Sequence, residues 1–332
     1  MVRAPAMHQG QGRRDGLMAA DPIDFAAGAP IAGDLEVRWI HGAPPRRRST
    51  DPKIQVHAYD PHTFILRQSK AVHYEAPFLY LLLGNRRALL LDTGATADPD
   101  RFPLRQTVDT ILAQWLTKHP RAGYELVVAH THAHSDHLAG DGQFHDRPAT
   151  TVVPTDAESV RSFFGIDPWP GQLVPFDLGG RVLEVTGCPG HHQTSIAVYD
   201  RWSGFLLTGD TVYPGRLYVR DFPAFTDSLD RLVTLTRSRP VTWVMGCHIE
   251  MTSRPRRDYP VGATWQPDER PLPMTVDQLV AVHHAAAQVA KRPGRHVFDD
   301  VVIFHGPCLR SLPAQLARSL WSRLRNRIAA PG

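Results

Sequence analysis

The chain has 332 residues, of which 42% are hydrophobic and 21% charged, an ordinary globular composition that excludes disorder and collagen-like repeats. No apolar run approaches the ~18 residues needed to cross a bilayer. The first twenty residues contain no continuous apolar stretch of the secretory type, and three cysteines do not make a disulfide framework. The expectation is a soluble, cytoplasmic protein without a membrane partner. The net charge of +4 hides an asymmetry, because residues 51–250 carry a net −4 and residues 251–332 a net +6. An acidic middle speaks against polynucleotide substrates, whose phosphates supply most of their affinity to basic surfaces, so no nucleic-acid partner is expected.

Residues 1–50 lack a sustained period and end in the loop-like run APPRRRSTDP. They read as an extension, either flexible or draped over the core, with one domain following over 51–332. Strands are predicted at His62–Gln68, Phe78–Leu83 and Arg87–Leu91, the last two joined as a hairpin through Asn85. Apolar residues at 104, 108, 111, 112, 115 and 116 predict a helix over Leu104–Lys118. The apolar run at Tyr124–Ala129 reads as a buried strand. Short strands are expected at Thr151–Val153 and near 171–176, 181–186, 194–199 and 204–208, with a helix from about Thr155. A helix at Thr226–Arg237, a strand at Val241–Met245 and a Pro-rich loop over 252–273 follow. The C-terminal extension, 275–332, should contain a helix at 275–290, a strand at 297–304 and a helix at 313–328. In that last helix Leu312, Leu316, Leu320, Leu324 and Ile328 recur every four residues, a spacing for packing on the domain or on a second copy in a homodimer. The mixture predicts an α/β fold of two mixed sheets covered by helices.

The chemistry is concentrated after the 124–129 strand, in His130-Thr131-His132-Ala133-His134-Ser135-Asp136-His137. His132 and His134 are two apart, so an extended backbone turns both rings to one face. Ser135 and Asp136 signal a helix start, and that turn would bring Asp136 and His137 back to the same point. Three imidazoles and a carboxylate at a strand end suit an N/O metal site. His130, on the same face, is expected to be a buried histidine behind the ligands rather than one of them.

HTHAHSDH resembles the signature of the metallo-β-lactamase superfamily, and four further motifs agree in order: Asp92 in LLLDTG, His191 in CPGH, Asp210 in LTGDT and His248 in VMGCH. The resemblance covers roughly 54–250 and implies a four-layer αββα sandwich. It also implies a ligand set, with His132, His134 and His191 on one metal ion, Asp136, His137 and His248 on a second, and Asp210 between them. Asp92 would brace the metal loop. His192 remains an alternative to His191, while Cys188 and Cys247 are taken as buried fillers. Zinc, two ions per chain, is the expected cofactor, and iron or manganese suit the same donors. In such a centre Asp136 and Asp210 take part in catalysis, because a water shared by two ions is acidified towards a pKa of ~7.

The fold does not name the substrate. Tyr213 stands three residues past Asp210, where acyl-homoserine-lactone hydrolases of this family carry an active-site tyrosine, and is expected either to stabilise an oxyanion or to be a half-buried aromatic packed beside the site. The resulting expectation is a dinuclear zinc hydrolase of a small acyl substrate, an ester, thioester or lactone, similar to lactonases or glyoxalase II. The alternatives are a mononuclear iron oxygenase of sulfur compounds, or a β-lactam or phosphodiester hydrolase. Arg254, Arg256, Arg257, Tyr259 and Trp265 in loop 252–273 are candidates to roof the cleft or to bind an anionic or aromatic group, unless the loop is simply a solvated connection.

Overall fold

The computed structural model describes residues 21–44 and 46–306. The chain begins with β1 (Ile54–Asp60), β2 (Thr63–Gln68), β3 (Phe78–Leu83) and β4 (Arg87–Leu91). Next come α1 (Leu104–Lys118), β5 (Glu125–Ala129), the single turn α2 (Ser135–Leu138), β6 (Thr150–Val152) and α3 (Ala157–Phe164). These six strands form one sheet in sequence order. It is antiparallel as far as β4 and parallel from β4 to β6, because α1 carries the chain back before β5 starts. Every side chain of β3 is buried, as expected of a strand covered on both faces.

The second half holds β7 (Leu173–Asp177), β8 (Val182–Gly187), β9 (Ile196–Asp200), β10 (Phe205–Gly209), β11 (Arg216–Val219), α4 (Phe222–Ser238) and β12 (Trp243–Gly246). It continues with β13 (Pro273–Met274), α5 (Val276–Val289), β14 (Gly294–Val297) and β15 (Val302–His305). The second sheet has the order β13-β12-β10-β9-β8-β7, and β11-β15-β14 form a small third sheet. Phe78, Tyr80, Leu89 and Val127 of the first sheet pack against Val185, Val198, Phe205 and Leu207 of the second in one central core. The first sheet's outer face buries Val108, Ile111, Leu112 and Trp115 of α1. The second sheet's outer face buries Leu229 and Leu232 of α4 with Leu279 and Val282 of α5. This is the αββα sandwich.

Several elements depart from the sequence reading, and neither β1 nor the two-residue β13 was predicted. α4 starts at Phe222 rather than Thr226, because Asp221 caps it by accepting from Ala224 N at 3.0 Å and a proline occupies its first turn. The strand expected at 297–304 is a hairpin, β14 and β15, so the described part of 275–332 is not purely helical. β11 was not predicted. Four residues carry little period of their own, and this strand exists because β15 pairs with it in parallel. The helix expected at 313–328 and Cys308 lie outside the described residues. Of the N-terminal extension, the described part contacts the domain. Phe25 meets His62 and Trp202 edge-on, with ring centroids 5.4 and 5.1 Å away, and Gly42 bridges to Trp265 of loop 252–273. No helix among the described residues is long and apolar enough to cross a membrane.

Candidate metal centre

β5, β8, β10 and β12 all end at the same edge of the sandwich, since β10 and β12 run parallel and two antiparallel steps return β8 to their direction. Each strand end releases a loop carrying potential ligands. After β5 the chain bends at Thr131, His132 and Ala133, is extended at His134 and then turns into α2, so Asp136 and His137 fold back beside His132. Gly209 ends β10 at φ +53°, and a Cβ there would stand 2.6 Å from Thr131 Cβ. That close approach sets Asp210 against the β5 loop. Gly190, at φ +136°, lies where a Cβ would meet Phe225 of α4 at 2.5–2.7 Å, and it seats the turn that bears His191.

The donors form two groups. His132 Nε2, His134 Nδ1 and His191 Nε2 lie 2.8–3.2 Å from one another. Asp136 Oδ2 lies 3.4 Å from His137 Nε2 and 3.3 Å from His248 Nε2. Asp210 stands between the groups, with Oδ1 3.6 Å from His137 and 3.4 Å from His248, and Oδ2 3.7 Å from His191. The structure thus brings together all seven residues of the predicted ligand set.

Hydrogen bonds behind the rings fix which nitrogen faces inward. His137 donates from Nδ1 to Asp92 Oδ2 at 2.9 Å, His191 from Nδ1 to the Tyr218 carbonyl at 2.8 Å, and His248 from Nδ1 to the Glu75 carbonyl at 3.3 Å. Each therefore turns its Nε2 to the centre. Asp92, fully buried, also accepts from Thr131 N at 2.7 Å, Thr131 Oγ1 at 2.9 Å and Cys247 Sγ at 3.3 Å. His130 sits behind the ligands with Nε2 2.8 Å from Asp141 Oδ1, an oxygen that also accepts from Thr93 Oγ1.

The electrostatics divide in the same way. Burial and the neighbouring imidazoles hold His132 well below the usual histidine range and lower His134 to about 4, so the first group is three neutral rings with converging lone pairs. In the second group burial opposes charge on His248, but Asp210 and Asp136 outweigh it and raise its pKa to about 9. For Asp210 burial works upward, yet His248 and His137 bring it down to about 2. Lone pairs this close repel unless a cation lies among them, and Asp210 Oδ1 is buried without a hydrogen bond. Buried acceptors without donors are rare in folded proteins, and a pair of cations satisfies both conditions.

One expectation changes. The Tyr213 hydroxyl is not directed at the metal groups. It donates to the Arg216 carbonyl at 2.5 Å and approaches Glu250 Oε2 at 3.1 Å, and the side chain is fully enclosed. Only its ring meets the site, edge-on to His248 at 5.6 Å, so its position is that of a packing residue. Loop 252–273 is tied to neighbouring segments of the domain. Tyr259 O accepts from Arg216, and Glu269 pairs with Arg67 at 2.6 Å. His192 bonds through Nδ1 to Thr194 Oγ1 at 2.9 Å, its ring packing 4.9 Å from that of His134, and neither it nor the buried Cys188 joins a donor group. Sequence reasoning missed Thr131 and the carbonyls of Tyr218 and Glu75. A hydroxyl between ligand histidines is a usable signal for Thr131, whereas a backbone carbonyl leaves none.

Residues 76–248, just over half of the chain, match the sequence profile of the Metallo-beta-lactamase superfamily. A hydroxyacylglutathione hydrolase from Synechococcus sp. (strain JA-3-3Ab) is 29% identical over 57% of this chain and 74% of its own length. The acyl-coenzyme A thioesterase MBLAC2 of Gallus gallus is 27% identical over 48% of this chain and 65% of its own. The chain spans only 52% and 54% of two further hydroxyacylglutathione hydrolases that it matches. Among solved structures, a metallo-beta-lactamase from Pontibacter korlensis aligns with a TM-score of 0.43 at 21% identity, covering 59% of this chain and 91% of that one. With the profile spanning Asp92 and all seven ligand positions, the chain belongs to the metallo-β-lactamase superfamily and is a metallohydrolase.

Proposed function

We propose that this protein hydrolyses an acyl thioester at a dinuclear centre, with zinc as the metal, His132, His134 and His191 holding one ion, Asp136, His137 and His248 the other, and Asp210 bridging. The position of Asp210, one oxygen turned to each complete donor group, carries the reading. A mononuclear oxygenase leaves the second group without a purpose. The thioester class is supported by the names of the relatives, hydroxyacylglutathione hydrolases and an acyl-coenzyme A thioesterase.

Bound there, two Lewis-acidic ions supply an acidified water and polarise the substrate carbonyl. The protein's own work is positional. Asp92 holds His137 and the Thr131 backbone together, and the Tyr218 and Glu75 carbonyls hold the His191 and His248 tautomers. Asp136 lies beside Asp210 with a carboxylate whose pKa, despite burial, is lowered by His137 and His248. Water adds to the acyl carbon, the carbon–sulfur bond breaks, and a carboxylic acid and a thiol leave.

Metal analysis of the purified chain, paired with thioester, lactone, β-lactam and phosphodiester substrates, tests the proposal. The expected result is close to two zinc ions per chain and thioester turnover above the rest. His191→Ala should lose metal and activity, while His192→Ala keeps its metal. One iron per chain, or preference for another substrate class, would overturn the reading.

A further inference from the structure

The connection between β2 and β3, residues 69–77, reaches the metal centre at Glu75. Lys70 lies within it, 3% exposed, under Gly42 of the N-terminal extension, where a Cβ would stand 3.2 Å from Lys70 Cβ. Taking a lysine amine out of water is unfavourable unless it finds a partner, and burial lowers its pKa to about 7. The two carboxylates whose charge reaches it are committed elsewhere, Glu269 to Arg67 and Glu250 to Tyr213 and the Arg216 amide. Lys70 Nζ instead donates to the Tyr74 carbonyl at 3.2 Å, a bond that an amine makes whether charged or neutral. The next carbonyl, that of Glu75, accepts from His248 Nδ1 at 3.3 Å. Ala76 follows at φ +45°, a left-handed conformation that a residue with a Cβ keeps only where its surroundings hold it.

We infer that Lys70 is a positioning residue for the second donor group, holding residues 74–76 in the shape that presents the Glu75 carbonyl to His248. The inference rests on the dinuclear reading above. The Glu75 carbonyl belongs to the rigid peptide unit that precedes Ala76, so rotation about the Ala76 N–Cα bond swings it. Without restraint Ala76 would relax towards negative φ and carry that oxygen away from His248 Nδ1. Lys70 fixes the peptide unit on the other side of Glu75 through the Tyr74 carbonyl. The Phe78 amide anchors the far end on the Cys247 carbonyl at 2.8 Å. His191 takes its acceptor from Tyr218 on β11, so the first group does not depend on this connection.

The test titrates zinc into metal-free wild type, Lys70→Met, Lys70→Gln and the double variant Lys70→Met with Ala76→Gly, against a competing chelator. Imidazole NMR signals of His191 and His248 report the two groups separately. Methionine matches the length of lysine without a donor, so the chain should stay folded, which urea unfolding checks. Zinc affinity at His248 should fall about tenfold in Lys70→Met, the lower end of changes behind a metal ligand, while that at His191 holds. Lys70→Gln, shorter but still a donor, should lie between, and it carries the comparison if Lys70→Met fails to fold. Glycine adopts positive φ without a steric penalty, so Ala76→Gly should recover part of the loss in the double variant, as it would not for a lysine that only packs. Equal losses at both groups, no loss at either, or no recovery with glycine would overturn the inference. If wild type takes up zinc at His191 alone, the dinuclear reading fails by itself. Solvent exchange of the His248 Nδ1 proton in metal-free protein then decides the role of Lys70. It should be faster in Lys70→Met, and equal rates would refute the clamp.

Discussion

Asp92→Asn isolates what a single carboxylate contributes to this centre. Asp92 sits at φ +71°, a region that asparagine tolerates better than most residues, so the backbone can stay as it is. The side chain volume is also conserved, and only hydrogen-bonding capacity changes. Asp92 accepts from four donors, one at Oδ1 and three at Oδ2. An amide has one oxygen, so in either orientation its NH2 faces a buried N–H or O–H. Keeping the oxygen towards His137 sacrifices the bond from Thr131 N, the smaller loss. One buried hydrogen bond to a charged group is worth about 1.5–3 kcal/mol, which sets the expected fall in stability. His137 retains an acceptor but loses the anion that strengthens it as a ligand, and such changes behind a metal ligand typically lower affinity ~10–100-fold. The assays are urea unfolding of metal-free protein and zinc competition against a chelator of known affinity. Unchanged values in both would refute the view that Asp92 braces the centre. Lower stability with unchanged zinc affinity would make its role purely structural.

Tyr213→Phe should leave kcat/KM for every acyl substrate within about twofold and cost about 1–2 kcal/mol of stability, because the hydroxyl serves the Arg216 carbonyl and Glu250. A loss of turnover of ~10²-fold would restore it as an oxyanion donor. Arg181 and Asp200 form a fully buried pair, with Arg181 also donating to the His62 and Leu83 carbonyls. Arg181→Met strands that carboxylate and should destabilise by roughly 3–5 kcal/mol, read from the denaturant midpoint, with normal zinc content in the folded fraction. His62 accepts from Trp115 Nε1 at 2.9 Å, and burial, followed by the smaller influence of Arg181, lowers its pKa to about 4. Its folded pKa lies below its unfolded value of ~6.5, so below that pH the unfolded chain takes up the proton first. The stability contribution is complete above pH ~6.5 and is lost as pH falls towards 4. His62→Gln, which can still accept from Trp115, should flatten that part of the stability profile. An unaltered slope would assign the acid sensitivity elsewhere.

The parts of this protein legible in the sequence are those in which local chemistry repeats. Leu104–Lys118 shows its helical period because one face alone meets the first sheet. Phe78–Leu83 shows an unbroken apolar run because both of its faces are covered. The candidate ligands His132, His134, Asp136 and His137 are legible because one strand end and one turn place them together, while His191, Asp210 and His248 followed from family motifs at three other strand ends. Tertiary structure decided what depends on remote partners. β11 is a strand because β15 supplies its hydrogen bonds, and its path puts the Tyr218 carbonyl behind His191. Tyr213 occupies the sequence position of an active-site tyrosine, but its hydroxyl goes where the Arg216 carbonyl and the Glu250 carboxylate lie. A side chain's identity fixes what bonds it can make, while the packing of distant segments fixes which of them it makes. For that reason the convergence of the seven candidate ligands could be read from the chain, whereas the direction of one hydroxyl could not.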